Sequence, residues 1–305
     1  MKRKVVQQGP ATLMVSLPSK WVKENNVSKG DELDLAEEKG KIILTIDAPS
    51  SDSVSKEHAV VDFGVFNEYF VNYFYQKGYD EVMIRCKDPA VAALVEKRAR
   101  ELMGFEVVEK GKNFVRVKSL MKIDQQEFDT VLKKLFQITL VMGDKVTDAL
   151  NQASDEKKKE LLAEVVLDEK ENNKYCDLCI RILFKNKYQY PDEGFAYFAL
   201  LRQLEQVGDL YKYIARELST SGLLNSDFIS LYKRVHAYFR LYYDLFYLYD
   251  AEKAQLFFAE KDTLVKLCSE QMKNATKEQA IQLSYILTLT REIFDLKGPL
   301  FLMKV

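Results

Sequence analysis

The first 23 residues could bind phosphate, because they carry positive charge and no acid. Their net charge is +5, from Lys2, Arg3, Lys4, Lys20 and Lys23. Residues 24–48 carry seven acids against three lysines, so the two signs are segregated. Attraction to nucleic acid arises when several cations neutralise neighbouring phosphates together and release their counterions. The pattern therefore favours a nucleic-acid contact, although lysines that protect an exposed edge strand from aggregation would leave the same charges.

A pair of carboxylates further along the chain could bind a metal ion. Glu205 and Asp209 stand four residues apart in a helical stretch, where like charges on one face repel by about 0.2–0.5 kcal/mol. A cation would offset that repulsion, and hard oxygen ligands suit magnesium, manganese or iron. A solvated or salt-bridged helix face explains the same spacing, so two interpretations stand.

The chain as a whole has almost no net charge, so any contact with nucleic acid must come from a local patch of charge. The 305 residues have a net charge of −1, are 47% hydrophobic and 30% charged, and have a mean hydropathy of −0.24. These values are typical of a folded protein with two or three domains. No apolar run is long enough for a signal peptide or a membrane span, which predicts a cytoplasmic protein without membrane insertion. No glycine-rich phosphate loop, Ser/His/Asp arrangement or HExxH motif occurs, so we expect no enzyme.

The residue pattern changes along the chain. Residues 1–48 are strand-like and are interrupted by glycine and proline, and residues 49–56 form a polar, serine-rich linker. Residues 57–120 alternate helical and strand patterns. The predicted fold is therefore multidomain, with a small β head followed by an α+β connector.

From residue 124 onward the pattern is helical throughout. Apolar residues recur at spacings of three and four, as one buried helix face requires. The helical stretches fall into two groups of three, over 124–221 and 226–305, with a break at Gly222. The expected architecture of 124–305 is an all-α domain of two three-helix bundles.

The head has a recognisable order of elements. A basic strand and a glycine-containing turn precede Leu17-Pro18, a short helix through Trp21 and then Lys29-Gly30-Asp31. This order resembles the AbrB/SpoVT family. The resemblance implies a swapped-hairpin β-barrel built by two chains, and so a homodimer through residues 1–48. A half-barrel of this size could not bury a core alone.

The same resemblance implies DNA binding through the first strand, its turn and the start of the helix. The turn offers hydrogen bonds but no charge, which suits contacts to bases or phosphates. Some modules of this kind serve only for dimerisation or as antitoxins, so DNA binding is one of two alternatives. The implied DNA-contacting residues are Lys2, Arg3, Lys4, Gln7, Gln8, Thr12, Lys20 and Lys23.

The helical domain contains Glu205 followed by Gly208-Asp209 within LLRQLEQVGDLYKYIARELS. With the doubled three-helix organisation, this resembles the PhoU family. The resemblance implies a metal site and adds Asp168, on the preceding helix, as a third ligand. The chain departs from the family pattern at Tyr213, where an Asn or His ligand is common, and in the second group, where Arg291 replaces the Glu.

The order of head, connector and helical bundles resembles archaeal phosphate uptake regulators. It implies a homodimeric DNA-binding transcriptional regulator of phosphate uptake or homeostasis, with a sensing or partner-binding helical domain. The alternative is an adaptor that binds no DNA, dimerises through its head and regulates a phosphate transporter or a signalling protein. A partner surface is suggested by an aromatic stretch containing Tyr238, Tyr242, Tyr243 and Tyr247 with Arg240.

Overall fold

A computed structural model describes most of the chain. The chain divides into two compact units, Met1–Val54 and Ser55–Val305. The described residues are 2–10, 12–38, 41–45, 56–62, 70–86, 88–121, 127–185, 193–220 and 225–304.

Two hairpins and a short helix form the N-terminal unit. Strand β1 (Val5–Gln7) pairs antiparallel with β2 (Leu13–Val15), and β3 (Asp34–Glu38) pairs antiparallel with β4 (Lys41–Thr45). Helix α1 (Ser19–Glu24) follows the first hairpin and begins after Pro18, whose fixed φ suits a helix start.

Neither hairpin of the head encloses a core. Every side chain of β1 and β2 is exposed, and the fractions reach 61% at Val5 and 70% at Leu13. Leu35 and Ile42 of the second hairpin are 62% and 68% exposed. Each hairpin is a separate two-stranded sheet, so one chain does not close the barrel expected of the head. Isolated two-stranded sheets are at best marginally stable in water, and the swapped dimer stays a prediction.

The α+β part of the second unit is a four-stranded sheet with two helices. The strand order is β5-β6-β8-β7, with β5 parallel to β6 and the other pairs antiparallel. Its elements are β5 (Lys56–Asp62), α2 (Phe70–Gln76), β6 (Tyr79–Arg85), α3 (Pro89–Arg100), β7 (Phe105–Gly111) and β8 (Phe114–Ser119). The sequence pattern does not predict β5, whose first residue falls in the stretch interpreted as a linker.

The rest of the second unit is helical. Helices α4, α5 and α6 pack on one another, as do α7, α8 and α9, while α6 contacts α9 and α4 contacts α7. The helices are α4 (Phe128–Asn151), α5 (Asp155–Lys185), α6 (Gly194–Thr220), α7 (Ser226–Tyr247), α8 (Ala251–Met272), α9 (Lys277–Asp295) and α10 (Lys297–Lys304). One apolar core extends from Phe128 to Leu300. The two groups of three helices therefore share a core.

The aromatic stretch of α7 belongs largely to this core. Tyr238 and Tyr242 are 2% and 0% exposed and pack against Phe257. Their interpretation as part of a partner surface is therefore wrong, because apolar burial accounts for them. Tyr247 remains 42% exposed.

A buried arginine of α5 connects the α+β part to the helical part through hydrogen bonds. Arg181 of α5 has no exposed surface, and its guanidinium donates to the carbonyls of Tyr75 and Tyr79, both at 2.8 Å, and to Asp80 Oδ1 at 2.7 Å. The chain turns around it at Gly78, where φ is +87°, a conformation that glycine adopts without strain. The link between α2 and β6 is thereby held against α5.

Replacing Arg181 with Met should lower the free energy of unfolding by about 3–5 kcal/mol, because two carbonyls and a carboxylate lose their buried donor. Urea denaturation followed by circular dichroism measures this loss. Arg100→Met, at an exposed position of α3, is the matched control and should change stability by no more than about 0.5 kcal/mol. Equal losses in the two variants would contradict the anchoring role.

Candidate functional site

The structure places all eight predicted DNA-contacting side chains on the surface of the head. Gln7, Gln8 and Thr12 come together at the β1–β2 turn, where the Gln8 N–H donates to the Thr12 carbonyl at 2.8 Å. The turn also contains Gly9 at a φ of +86°. Lys2, Arg3 and Lys4 lie directly before β1, and Lys20 and Lys23 are on α1.

Lys20 forms an ion pair along α1. Its Nζ lies 3.7 Å from Glu24 Oε1, and the two side chains are 84% and 61% exposed. Such an exposed pair contributes about 0–1 kcal/mol, so it leaves Lys20 able to exchange Glu24 for a phosphate.

A second candidate site is a polar cleft of about 450 Å³ within the second unit. It lies between α2 and α3 on one side and α5 and α6 on the other. Helix α5 contributes Glu169, Asn173 and Asp177, which are spaced by four and so share a face. One polar face of α5 thus lines the cleft.

Helix α6 contributes two acids flanked by two cations. Arg202, Glu205, Asp209 and Lys212 line the cleft at spacings of three and four. Arg202 is paired with Glu205, and Lys212 Nζ bonds to Asp209 Oδ1 at 2.5 Å. Lys212 also bonds to Glu169 Oε1 at 2.8 Å, which joins α6 to α5.

Gly208 explains why the two helices approach so closely. A Cβ at this position would lie 2.7 Å from Asn172 Oδ1 of α5, so a larger residue would displace the Asn172 amide or the helix that carries it. The Asn172 amide in turn donates to Thr139 Oγ1 of α4 at 2.7 Å. The Gly208-Asp209 element therefore serves helix packing and at the same time presents Asp209 to the cleft.

Asp177 and Glu169 are the most buried carboxylates of the cleft, each with 8% of its surface exposed. The two oxygens of Asp177 accept hydrogen bonds from the side-chain amides of Asn72 at 3.1 Å and Gln76 at 2.6 Å, both on α2. Burial raises the pKa of Asp177 from its ordinary 3.8 to about 6, although Gln76, Arg98 and Arg202 all favour the charged form. The hydrogen-bond donors to the Asp177 carboxylate are neutral amides, and within the described residues this carboxylate forms no salt bridge.

Glu205 lies among the other carboxylates of the cleft. Burial raises the pKa of Glu205, and the negative charges of Asp177, Asp209 and Glu169 raise it further against the lowering effect of Arg202. Burial alone would lower the pKa of Lys212, but its bonds to Asp209 and Glu169 outweigh burial and raise it. The cleft is a mutually compensating set of charges with both signs.

The three predicted metal ligands are held by cations. Asp168 Oδ2 lies 2.8 Å from Lys145 Nζ and does not line the cleft, while Glu205 and Asp209 bond to Arg202 and Lys212. Across the described ranges, no three His, Cys, Asp or Glu side chains are grouped as a metal site requires. The residues as placed therefore do not fit a magnesium, manganese or iron site.

Sequence reasoning missed several cleft residues, notably Asn72, Gln76, Arg98 and Asp177. Polar residues four apart in apolar helices, such as Asn72 and Gln76, are the signal that could have found them. The spacing of Arg202 to Glu205 and of Asp209 to Lys212 could likewise have indicated ion pairs in place of a metal.

Comparison with known families bears on the head. Residues 6–53 match the family described as antidote-toxin recognition MazE, bacterial antitoxin. A MazE/AbrB-like domain is thus present, and it supports a DNA-binding regulator or an antitoxin-type function. No PhoU-like domain is identified.

Searches of curated proteins and of solved structures found no match. Of the helices that the structure describes, none is both long and apolar enough to cross a membrane.

The raised pKa of Asp177 makes stability depend on pH. Between about pH 4 and pH 6 the folded protein keeps a proton that the unfolded chain has released, so this carboxyl costs stability as the pH rises. Relative to the wild type, Asp177→Asn should therefore gain up to about 3 kcal/mol between pH 4 and pH 7.

Urea unfolding at a series of pH values measures this change. Asp262→Asn, the same substitution at a carboxylate that is 82% exposed, is the matched control. A difference between wild type and Asp177→Asn that stays constant with pH would contradict the assignment.

Proposed function

We propose that this chain is a homodimeric DNA-binding regulator whose head contacts DNA and whose helical part senses a ligand or binds a partner protein. The observation that carries the proposal is the match of residues 6–53 to a MazE-type domain. The N-terminal unit that contains this segment, Met1–Val54, also holds the exposed cations and the uncovered apolar strands.

The exposed strands of the head supply the argument for a dimer. Side chains such as Val5, Leu13, Leu35 and Ile42 are more than half exposed in one chain, and burying a residue of this kind is worth about 1.5–3 kcal/mol. A second copy related by a twofold axis offers a complementary surface of the same composition. Pairing would also bring two segments of charge +5 to one DNA duplex, which strengthens attraction to its phosphates.

The finer part of the proposal is that the regulated process is phosphate uptake or homeostasis. Its support is the order of head, connector and doubled helical group, which resembles regulators of that process. We do not assign catalysis to the chain. In this proposal the helical part is a receptor or docking domain that acts on the head through the intervening residues.

A second candidate is an antitoxin-type or adaptor function without DNA. The description of the matching family, antidote-toxin recognition, favours it, because it refers to a protein partner. In this case the head would dimerise and recognise a protein, and the helical part would regulate a transporter or signalling partner.

DNA binding by the full chain should weaken steeply with salt, and replacing Lys2, Arg3 and Lys4 together with Ala should abolish it. Mobility-shift titrations of pooled genomic fragments over a salt series measure both effects. For a variant that replaces only one of these three cations, the slope of log affinity against log salt should become shallower by about 0.9 for every phosphate that it no longer neutralises.

The matched control replaces three consecutive lysines outside the head, Lys157, Lys158 and Lys159, with Ala. It should bind DNA as the wild type does. Binding that is absent or independent of salt, or that the control abolishes equally, would overturn the regulator and favour the protein-recognition function.

A further inference from the structure

We propose that His236 of α7 is a proton-operated switch, whose protonation breaks its hydrogen bond to Tyr211 and loosens the packing between the two groups of three helices. The proposal concerns the interior of the helical part. It goes beyond the function of the head and does not depend on it.

His236 lies where the two groups meet. Its side chain is buried, with 5% of its surface exposed. The imidazole Nε2 lies 3.0 Å from Asp144 Oδ1 of α4, and Nδ1 lies 2.9 Å from the Tyr211 hydroxyl of α6. Helices α4 and α6 belong to the first group and α7 belongs to the second, so one ring joins both groups.

The backbone of α4 leaves room for this ring at Gly143. A Cβ at this position would lie 2.2 Å from His236 Nδ1, so a side chain there would displace the imidazole. One turn earlier on α7, the Tyr232 hydroxyl donates to the Gly143 carbonyl at 3.0 Å. The imidazole thus packs directly on the α4 backbone, and a change in its hydrogen bonds acts on the contact between the two helices.

The two partners of the neutral ring determine which nitrogen carries its proton. Burial raises the pKa of Asp144, but hydrogen bonds from Arg240 and His236 outweigh burial and lower it, so this carboxylate is ionised and can only accept. It therefore assigns the imidazole proton to Nε2 and leaves Nδ1 as an acceptor. Burial raises the pKa of Tyr211, so its hydroxyl keeps the proton that it donates to Nδ1.

A second proton on the ring disrupts this arrangement. When Nδ1 carries a proton, the Tyr211 hydroxyl faces a donor and its own proton loses its acceptor. Tyr211 has no exposed surface, and in the described residues its hydroxyl has no other hydrogen-bond partner. A buried donor without an acceptor is costly, so protonation favours an arrangement in which the helices move apart.

The charges around His236 also oppose protonation. Asp144 of α4 bonds to Arg240 of α7 as well as to the ring, so its negative charge is already matched. The groups that face the ring from α6 and from the preceding turn of α7, Tyr211 and Tyr232, are neutral. Burial lowers the pKa of His236 from its ordinary 6.5, and Arg240 lowers it further against the opposing effect of Asp144.

Acid should therefore weaken this junction. As the pH falls below about 6.5, the unfolded chain takes up a proton that the folded chain still excludes, so stability is lost. Asp177 acts with the opposite sign, because burial raises its pKa, and it contacts α2 instead of α7. The two effects can be separated by their sign and by their place in the fold.

Nuclear magnetic resonance of the full chain with nitrogen-labelled histidine reports the state of the ring directly. The sequence contains two histidines, so the variant His58→Gln assigns the signals. We expect the His236 ring to be neutral at about pH 7.5 with its proton on Nε2, and to become charged only below about pH 6.5.

Hydrogen exchange of α4 and α7, corrected for intrinsic rates, measures the loosening. Between about pH 7.5 and about pH 5, the protection of both helices should fall about 5-fold or more. In His236→Gln it should not fall, because the amide can still donate to Asp144 but does not titrate. His58→Gln is the matched control and should show the same fall as the wild type.

Circular dichroism shows whether each variant folds. If His236→Gln does not fold, Tyr211→Phe takes its place, and its protection should fall less with acid because the hydrogen bond is absent at every pH. A ring that is charged at about pH 7.5, a ring that stays neutral down to about pH 4.5, or unchanged protection of α7 while the ring becomes charged would overturn the proposal. So would loss of the pH effect in His58→Gln.

Discussion

The guanidinium of Arg181 has no contact with solvent, so the chain itself must compensate its charge. It does so with two backbone carbonyls and Asp80, which the end of α2 and the start of β6 contribute. An uncompensated charge at this depth would cost several kcal/mol. These contacts hold the end of α2 and the start of β6 against α5.

The polar cleft is the main consequence of that anchor. Asp177 lies one helical turn before Arg181 on the same face of α5, and it binds the side chains of Asn72 and Gln76 while Arg181 binds the backbone of the same helix. The two contacts define one wall of the cleft and leave α6 to supply the other. The donors to Asp177 are neutral amides, so its negative charge is not compensated by a salt bridge within the described residues.

The helices were predictable because apolar residues recur with the helical period, and Leu132, Leu135, Met142 and Val146 are indeed buried along α4. The cleft was not predictable, since Asn72 and Asp177 are 105 residues apart and no local pattern indicates their contact. The pattern of carboxylates on α6 was visible, but its partners were not. Spacing alone cannot separate an ion pair from a metal ligand.

For the head, by contrast, the sequence predicts a fold that a single chain does not complete. Strands β1 and β2 pair across the glycine-containing turn that the sequence predicts, yet their apolar side chains stay exposed. A fold completed between two chains leaves this signature in either chain alone. In the proposed function, the basic segment and the uncovered strands share one requirement, a second copy of the head.

Sedimentation equilibrium of the full chain tests that requirement most directly. We expect a mass of twice the 35.4 kDa of one chain. Leu13→Glu, which places a charge on the 70% exposed strand residue, should restore the single-chain mass. Leu256→Glu, at a 62% exposed position of α8, should remain dimeric. A single-chain mass for the wild type, or a dimer that survives Leu13→Glu, would show that the head does not join two chains.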